Sequence, residues 1–170
     1  MYGANVISTQ KEGRFALCGL PFLADMEEYI MAEFTAISLQ EVAENQNVLF
    51  TETPICPTKG ILHREGSGIV RVSGNGSQGR ARYLVGFSGN IQIPTGGTVG
   101  EISVAIAIDG EPLASTQMIV TPAAVENLFN VSAQAYIDVS CGCCATISVQ
   151  NTSDQPIEIQ NANLIVVRVA

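Results

Sequence analysis

Residues 80–170 consist of short segments in which apolar residues alternate with small or polar ones, interrupted by turn residues about every ten positions. Because successive side chains of a strand point to opposite faces, this alternation indicates half-buried β-strands. Helix signals are few over the same stretch. Many short strands at regular spacing predict an antiparallel sandwich or barrel, so we expect an all-β protein.

Two segments show this alternation most clearly. Arg82 to Ile93 is predicted to be a long strand with Tyr83 and Phe87 on one face. Glu101 to Ile108 alternates in the same way and ends in Asp109-Gly110, a strong hairpin signal. The other predicted strands are Ala36 to Leu39, Asn47 to Thr51, Gly60 to His63, Ile69 to Val72, Leu113 to Val120, Leu128 to Val139, Ala145 to Gln150 and Ala162 to Val169.

The first part of the chain lacks this pattern. Residues 1–34 are predicted to form an N-terminal arm, and residues 35–170 the sandwich domain. One short helix is expected in the arm, because Asp25 and Glu28 have the spacing of a capping box. The apolar residues that follow at helical spacing are Met26, Ile30 and Phe34.

Every charged residue from Asp25 to Thr53 is acidic. One interpretation is a solvated face without a partner. The other is an arm that docks onto a basic neighbouring protein, and the sequence leaves both open.

Charge and hydropathy exclude several partners. The chain has 8 basic and 16 acidic residues, a net charge of -8, and no cluster of Lys and Arg, which argues against nucleic acid. No stretch reaches the roughly 18 consecutive apolar residues that a membrane-spanning helix needs. The first residues lack the basic and apolar regions of a secretory signal, so we expect synthesis and folding in a cytoplasm.

The predicted strands carry Ala, Ser, Gly and Asn on their second face instead of Lys and Glu. Only 14% of the residues are charged and the mean hydropathy is +0.27. Small uncharged residues suit a face that another surface approaches closely, although a merely neutral exterior would give the same pattern. We favour contact between subunits.

Cysteines and the single histidine are the candidates for chemistry. Cys141 and Cys144 have a zinc-type spacing, but the second pair would have to be the distant Cys18 and Cys56. Thiols packed at a strand turn, together with Cys143, are the favoured interpretation. A metal site or pairing between chains at a threefold axis is the alternative.

His63 lies at a predicted strand end without a nucleophile nearby, so a satisfied or surface histidine is expected. The glycine-rich segment Ser73 to Gly79 does not precede a helix, so it is predicted to be a hairpin loop and not a phosphate cradle. No catalytic set, cofactor site or metal site is predicted, and the protein is expected not to be an enzyme.

The order of these segments resembles the C1q and tumour-necrosis-factor-like jelly roll over about residues 36–170. The segments that carry the resemblance are Asn47 to Phe50, Gly60 to Gly68, Arg82 to Phe87, Glu101 to Gly110 and Asn163 to Arg168. Shorter phrases are similar to small structural proteins of phages and prophages of Gram-positive bacteria: Ser88 to Ile91, Pro94 to Thr98 and Asn161 to Leu164.

The resemblance implies a homotrimeric structural protein of a phage-like particle, a capsid decoration or a fibre component located in the virion. Its arm would contact the major capsid protein or another virion protein. The alternative is a trimeric module that binds a cell-surface glycan or receptor, with the loop Ser73 to Gly79 displayed. The subunit-interface candidates that it implies are Tyr83, Phe87, Phe129, Tyr136, Leu164 and Val166.

Overall fold

The computed structural model describes residues 30–74 and 79–170, which form two antiparallel sheets. Within them the only helical element is a 3₁₀ turn at Ala114–Thr116. The strands are β1 (Met31–Ala36), β2 (Gln40–Val42), β3 (Glu52–Ile55), β4 (Ile61–His63), β5 (Val70–Ser73), β6 (Arg80–Gln92), β7 (Ile102–Ile108), β8 (Glu111–Pro112), β9 (Met118–Val120), β10 (Phe129–Ser140), β11 (Cys144–Asn151) and β12 (Ile157–Arg168).

Sheet A has the order β10-β6-β12-β1-β3, with β2 also paired to β12. Sheet B has the order β4-β5-β11-β7-β8, with β9 also paired to β7. The chain changes sheets at each step from β5 to β6, β6 to β7, β9 to β10, β10 to β11 and β11 to β12, so strands that follow each other in sequence face each other across the sandwich. This topology is a jelly roll, as predicted.

The core lies between the sheets and is filled from every second position of each strand. In β6, Tyr83 and Val85 are fully buried, and in the next two strands Leu164 of β12 lies opposite Phe34 of β1, both of them also fully buried. The Tyr83 hydroxyl donates to the Ser73 carbonyl at 2.7 Å, so its polar group is satisfied inside the sandwich. Burial raises the pKa of Tyr83 above its usual value.

The sandwich begins earlier than the sequence pattern predicts. Strand β1 starts at Met31 and pairs along its whole length with β12, so the domain boundary lies before Met31 and not at residue 35. Phe34, assigned to a helical pattern, is a fully buried strand residue instead. The helix predicted to open at Asp25 lies outside the described residues.

Several of the other strand predictions need correction. Only the end of the predicted strand Leu113 to Val120 is a strand, β9, because a 3₁₀ turn precedes it, and all but the first residue of Ala36 to Leu39 lies between β1 and β2. The predicted strand Glu101 to Ile108 is confirmed as β7, and β10 and β11 match to within about two residues. The segment Asn47 to Thr51 is not a strand, since Asn47 and Phe50 form only isolated bridges. Strand β12 begins at Ile157, five residues before the predicted start.

Within the described residues no helix has both the length and the apolar character needed to span a membrane.

One buried amide joins the ends of three segments. The Asn151 side chain is fully buried, and its Nδ2 donates to the carbonyls of Val42 at 3.0 Å and Gln155 at 2.9 Å. Its Oδ1 accepts from the backbone N–H of Ser153 at 2.9 Å. The amide therefore satisfies three backbone groups that would otherwise be unpaired where β2, β11 and the turn before β12 meet.

Replacing this amide should destabilise the sandwich. We expect Asn151→Ala to lower the free energy of unfolding by about 3 kcal/mol, because it leaves buried backbone groups without partners. Chemical denaturation monitored by circular dichroism measures the change. Gln150→Ala is the matched control, since Gln150 makes one exposed bond to the Asn45 carbonyl, and it should cost less than about 1 kcal/mol. Equal losses for both variants would contradict this role.

Candidate interaction face

The outward face of sheet A carries an uninterrupted apolar row. Tyr136 of β10 lies opposite Leu84 of β6, which lies opposite Val167 of β12, which lies opposite Met31 of β1. Each belongs to the set of alternate positions that points away from the core. The side chain of Tyr136 is 68% exposed. These four residues, here called the apolar row, cross four strands without a charged residue between them.

The adjacent row continues this surface and contains a depression. Gly86 of β6 lies between Gln134 of β10 and Ile165 of β12, and because it has no side chain it leaves a hollow of about 370 Å³. Ile165 is 45% exposed at the margin of this hollow, and Ile55 at the far edge of the sheet is 43% exposed. This second row is mixed, because Glu33 of β1 lies between Ile165 and Ile55 and Gln134 lies at the other end.

Small polar residues form the next row. Asn163 of β12 donates from Nδ2 to the Glu33 carboxylate at 2.6 Å, and it lies opposite Thr35 of β1. The Asn163 Oδ1 and the Thr35 Oγ1 are buried, and neither has a hydrogen-bond partner within the subunit among the described residues. Two polar groups on this face are thus left unsatisfied by the single chain.

One end of the face carries a charged cluster beside the apolar row. Asp138 of β10 accepts two hydrogen bonds from Arg82, at 2.6 and 2.8 Å, and lies 3.4 Å from the Arg80 guanidinium. The hydrogen bond from Arg82 holds the pKa of Asp138 below its usual value, and the carboxylate in turn raises the pKa of Arg82. The cluster is exposed, so it limits the apolar row on one side without stabilising the core.

Solved structures share this arrangement of sheets. The globular domain of zebrafish complement 1qA protein superposes with a TM-score of 0.60 at 10% identity, covering 84% of this chain and 98% of that one. Murine APRIL gives 0.58 at 12% identity, with 84% and 100% coverage. Eiger TNF from S. frugiperda gives 0.57 at 14% identity, with 84% and 93% coverage. The fold is that of the C1q and tumour-necrosis-factor jelly rolls. No protein-family model and no curated protein matches the chain.

Four of the six residues predicted to lie at the subunit interface are instead buried in the core. Tyr83, Phe87, Leu164 and Val166 are at most 2% exposed and fill the core of one subunit, so they have no surface to offer a second copy. They occupy the inward positions of β6 and β12, which alternate with the outward Leu84, Ile165 and Val167.

Phe129 and Tyr136 keep exposed side chains in β10, the edge strand of sheet A. Their role at an interface stays a prediction.

The interaction face also contains apolar residues that the sequence reasoning missed, namely Leu84, Val167, Met31 and Ile165. A signal for them exists in β12, where Leu164 to Val167 is an unbroken apolar run. Such a run indicates a strand that is covered on both faces, whereas a half-exposed strand alternates.

His63 has a structural role inside the jelly roll. Its ring lies 4.5 Å from the Phe34 ring and 6.4 Å from the Phe50 ring, measured between centroids. Its Nδ1 is 3.1 Å from the Ile69 carbonyl oxygen and its Nε2 is 3.3 Å from the Phe50 carbonyl oxygen. The prediction of a satisfied histidine is confirmed.

The cysteine motif lies at the turn between β10 and β11, as predicted, but its thiols are not packed there. Cys141, Cys143 and Cys144 are exposed free thiols. Cys56 is disulfide-bonded and Cys18 lies outside the described residues, so Cys56 has no thiolate to offer the four-cysteine zinc set. In residues 30–74 and 79–170 no group of three His, Cys, Asp or Glu side chains is arranged to hold a metal ion.

The proposed glycan loop cannot be described in full, since residues 75–78 lie outside the described part of the chain. A polar depression of about 470 Å³ lies elsewhere, bordered by Ser103, Gln117 and Gln155. Its polar groups bond to one another: the Ser103 and Thr152 hydroxyl oxygens are 2.7 Å apart, and Gln155 bonds both backbone groups of Thr98. This pairing holds the turns together, while the Glu101 and Asp154 carboxylates of the same depression make no side-chain hydrogen bond to the described residues.

The Asp138 cluster predicts a pH-dependent coupling. Because the pKa of Asp138 is lower in the folded than in the unfolded chain, its stabilising effect is present at neutral pH and is lost as the pH falls through the folded value. A double-mutant cycle of Asp138→Asn and Arg82→Gln, followed by thermal unfolding, should show coupling at pH 7 that decreases as the pH is lowered into the acid range. Coupling of the same size at neutral and acid pH would show that ionisation of Asp138 does not matter.

Proposed function

We propose that this chain is a non-catalytic structural protein that forms homotrimers through the outward face of sheet A, as a capsid decoration or fibre component of a phage-like particle. The apolar row with its adjoining hollow is the observation that carries the proposal. An exposed, contiguous apolar patch on a sheet indicates a surface that another molecule covers.

The shape of this face suits contact between copies. Tyr136 projects from the edge strand β10, while the hollow at Gly86 and the exposed Ile165 lie further into the same sheet. A projection and a recess at different places give a heterologous contact, in which the edge of one copy packs against the face of the next. A rotation of one third of a turn then closes the assembly as a ring of three.

The remaining surface agrees with a module that has no chemistry of its own. The single histidine is held between aromatic rings and backbone carbonyls, which occupy both of its ring nitrogens. A particle component needs instead a stable sandwich and a means of attachment, and the N-terminal arm with its acidic residues is the segment proposed to attach it to a virion protein. The resemblance of the short sequence phrases to phage structural proteins supports this assignment.

The oligomeric state tests the first part of the proposal. We expect light scattering coupled to size-exclusion chromatography to give a trimer at micromolar concentration. Tyr136→Lys should weaken the trimer at least about tenfold, because it places a charge where an aromatic side chain would be desolvated.

Leu62→Lys is the matched control, since Leu62 is 65% exposed on the outward face of sheet B. It should leave the trimer intact. A monomeric wild-type protein, or equal dissociation of both variants, would overturn the proposed interface.

Deletion of the arm tests attachment to the particle. The deletion must end before Ile30, because the Ile30 carbonyl accepts from the Arg168 N–H at 2.8 Å and β1 follows directly. A chain without residues 1–29 should remain a folded trimer but be lost from purified particles, as measured by quantitative mass spectrometry of gradient fractions. Normal incorporation would show that the arm is not the anchor. A full-length trimer that is absent from particles and binds a surface-glycan array would favour the glycan-binding alternative.

A further inference from the structure

The three exposed thiols of the β10–β11 turn are not equivalent. Cys144 is the first residue of β11, and its Sγ accepts a hydrogen bond from Nη2 of Arg71 at 3.1 Å. Among the described residues, Cys141 and Cys143 have no side-chain hydrogen bond to a basic group. Cys144 therefore is the thiol of this turn that has a guanidinium beside it.

Strand pairing brings this cysteine and this arginine together. In the antiparallel pair of β5 and β11, Cys144 lies opposite Ser73, and Arg71 lies opposite Thr146, two residues further along. Cys144 and Arg71 are thus diagonal neighbours on the outward face of sheet B, at a separation that a long side chain spans. The thiol and the cation are positioned by the backbone of two paired strands.

A recess adjoins the thiol. It has a volume of about 290 Å³ and is lined by Gly60, Leu62, Arg71, Val72, Ser73 and Cys144. Gly60 has a φ of 98° and no side chain, and a Cβ placed there would lie 3.0 Å from the Ser73 hydroxyl oxygen. That hydroxyl is buried and has no hydrogen-bond partner in the described part of the chain. The recess thus places a nucleophile beside a cation, whereas the Ser73 hydroxyl oxygen is closed to solvent.

These groups match one class of reactant. A thiolate is the form of cysteine that attacks a disulfide, and a guanidinium binds carboxylates. Small disulfides that carry carboxylates, such as that of a cysteine-containing peptide, present both a sulfur for attack and an anionic group for the arginine. A positively charged disulfide would be repelled by the same arginine.

We propose that Cys144 is a site of thiol–disulfide exchange with small carboxylate-bearing disulfides. The Cys144 thiolate attacks one sulfur of the disulfide, and a new S–S bond forms between the protein and half of the reactant. The bond between the two original sulfurs breaks, and the second half leaves as a thiolate that takes a proton from water. The reactant itself is the oxidant, so no further electron acceptor is needed.

The modification is separate from the face proposed to join subunits, because the recess lies on sheet B and the apolar row on sheet A. The exchange would place a removable, negatively charged group at the end of the sandwich where the β10–β11 turn lies. The exchange reaction at Cys144 can therefore be tested on a monomer as well as on a trimer.

The experiment compares two disulfides of opposite charge on the full-length protein. Glutathione disulfide and cystamine are supplied separately at equal concentration, and modification at each cysteine is followed over time by peptide mapping. We expect Cys144 to react before Cys141 and Cys143, and glutathione disulfide to react with it faster than cystamine. Arg71→Gln should slow the glutathione reaction about threefold to fivefold, the range for an exposed charge contact, and should speed the cystamine reaction.

Matched variants separate this effect from a general change in the turn. Cys141→Ser and Cys143→Ser should leave the rate at Cys144 unchanged, and Arg71→Lys should retain the preference for glutathione disulfide. Circular dichroism verifies that each variant is folded. Equal rates at all three thiols, or a preference for the anionic reactant that survives Arg71→Gln, would overturn the proposal.

Discussion

The position of the last strand is the constraint on which the rest of the molecule depends. Strand β12 lies in the middle of sheet A, where it pairs with β6 on one side and with β1 and β2 on the other. Sheet A is therefore complete only when the C-terminal strand joins the first strands to a strand from the middle of the chain. Because these contacts are distant in sequence, the sandwich has to form as one cooperative unit.

Pairing at the centre of the sheet gives β12 two surfaces with different roles. Leu164 and Val166 point inward and are buried against sheet B, whereas Ile165 and Val167 point outward beside Leu84 and Tyr136. The outward set adds nothing to the core, so it is free to serve contact with another molecule. The charged cluster of Arg80, Arg82 and Asp138 limits that surface at one end. The proposed trimer interface is thus a product of the same alternation that builds the core.

Much of the fold was predictable because strand alternation and turn residues are local signals. The strand β7 and its Asp109-Gly110 hairpin follow from the pattern alone, whereas the jelly roll was implied by the resemblance to C1q and tumour-necrosis-factor-like domains. The start of the domain was not predictable, because Phe34 fits a four-residue helical spacing as well as a strand. Its pairing with Leu164, 130 positions away in the chain, decides for the strand. Local propensity is overridden where a distant partner strand supplies the hydrogen bonds and the burial.

The outward face of sheet A also depends partly on local sequence signals and partly on strand pairing. The sequence alone determined that these strands have one strongly apolar set and one set of small or apolar residues, but alternation does not state which set faces the other sheet. Tyr83, Phe87, Leu164 and Val166 were assigned to an interface and belong to the core. Only the tertiary structure decided which set of side chains faces the core. The apolar row itself exists only after four strands are placed side by side. The tertiary structure likewise brought Arg71 to Cys144, 73 positions apart, since only strand pairing positions side chains so distant in the chain.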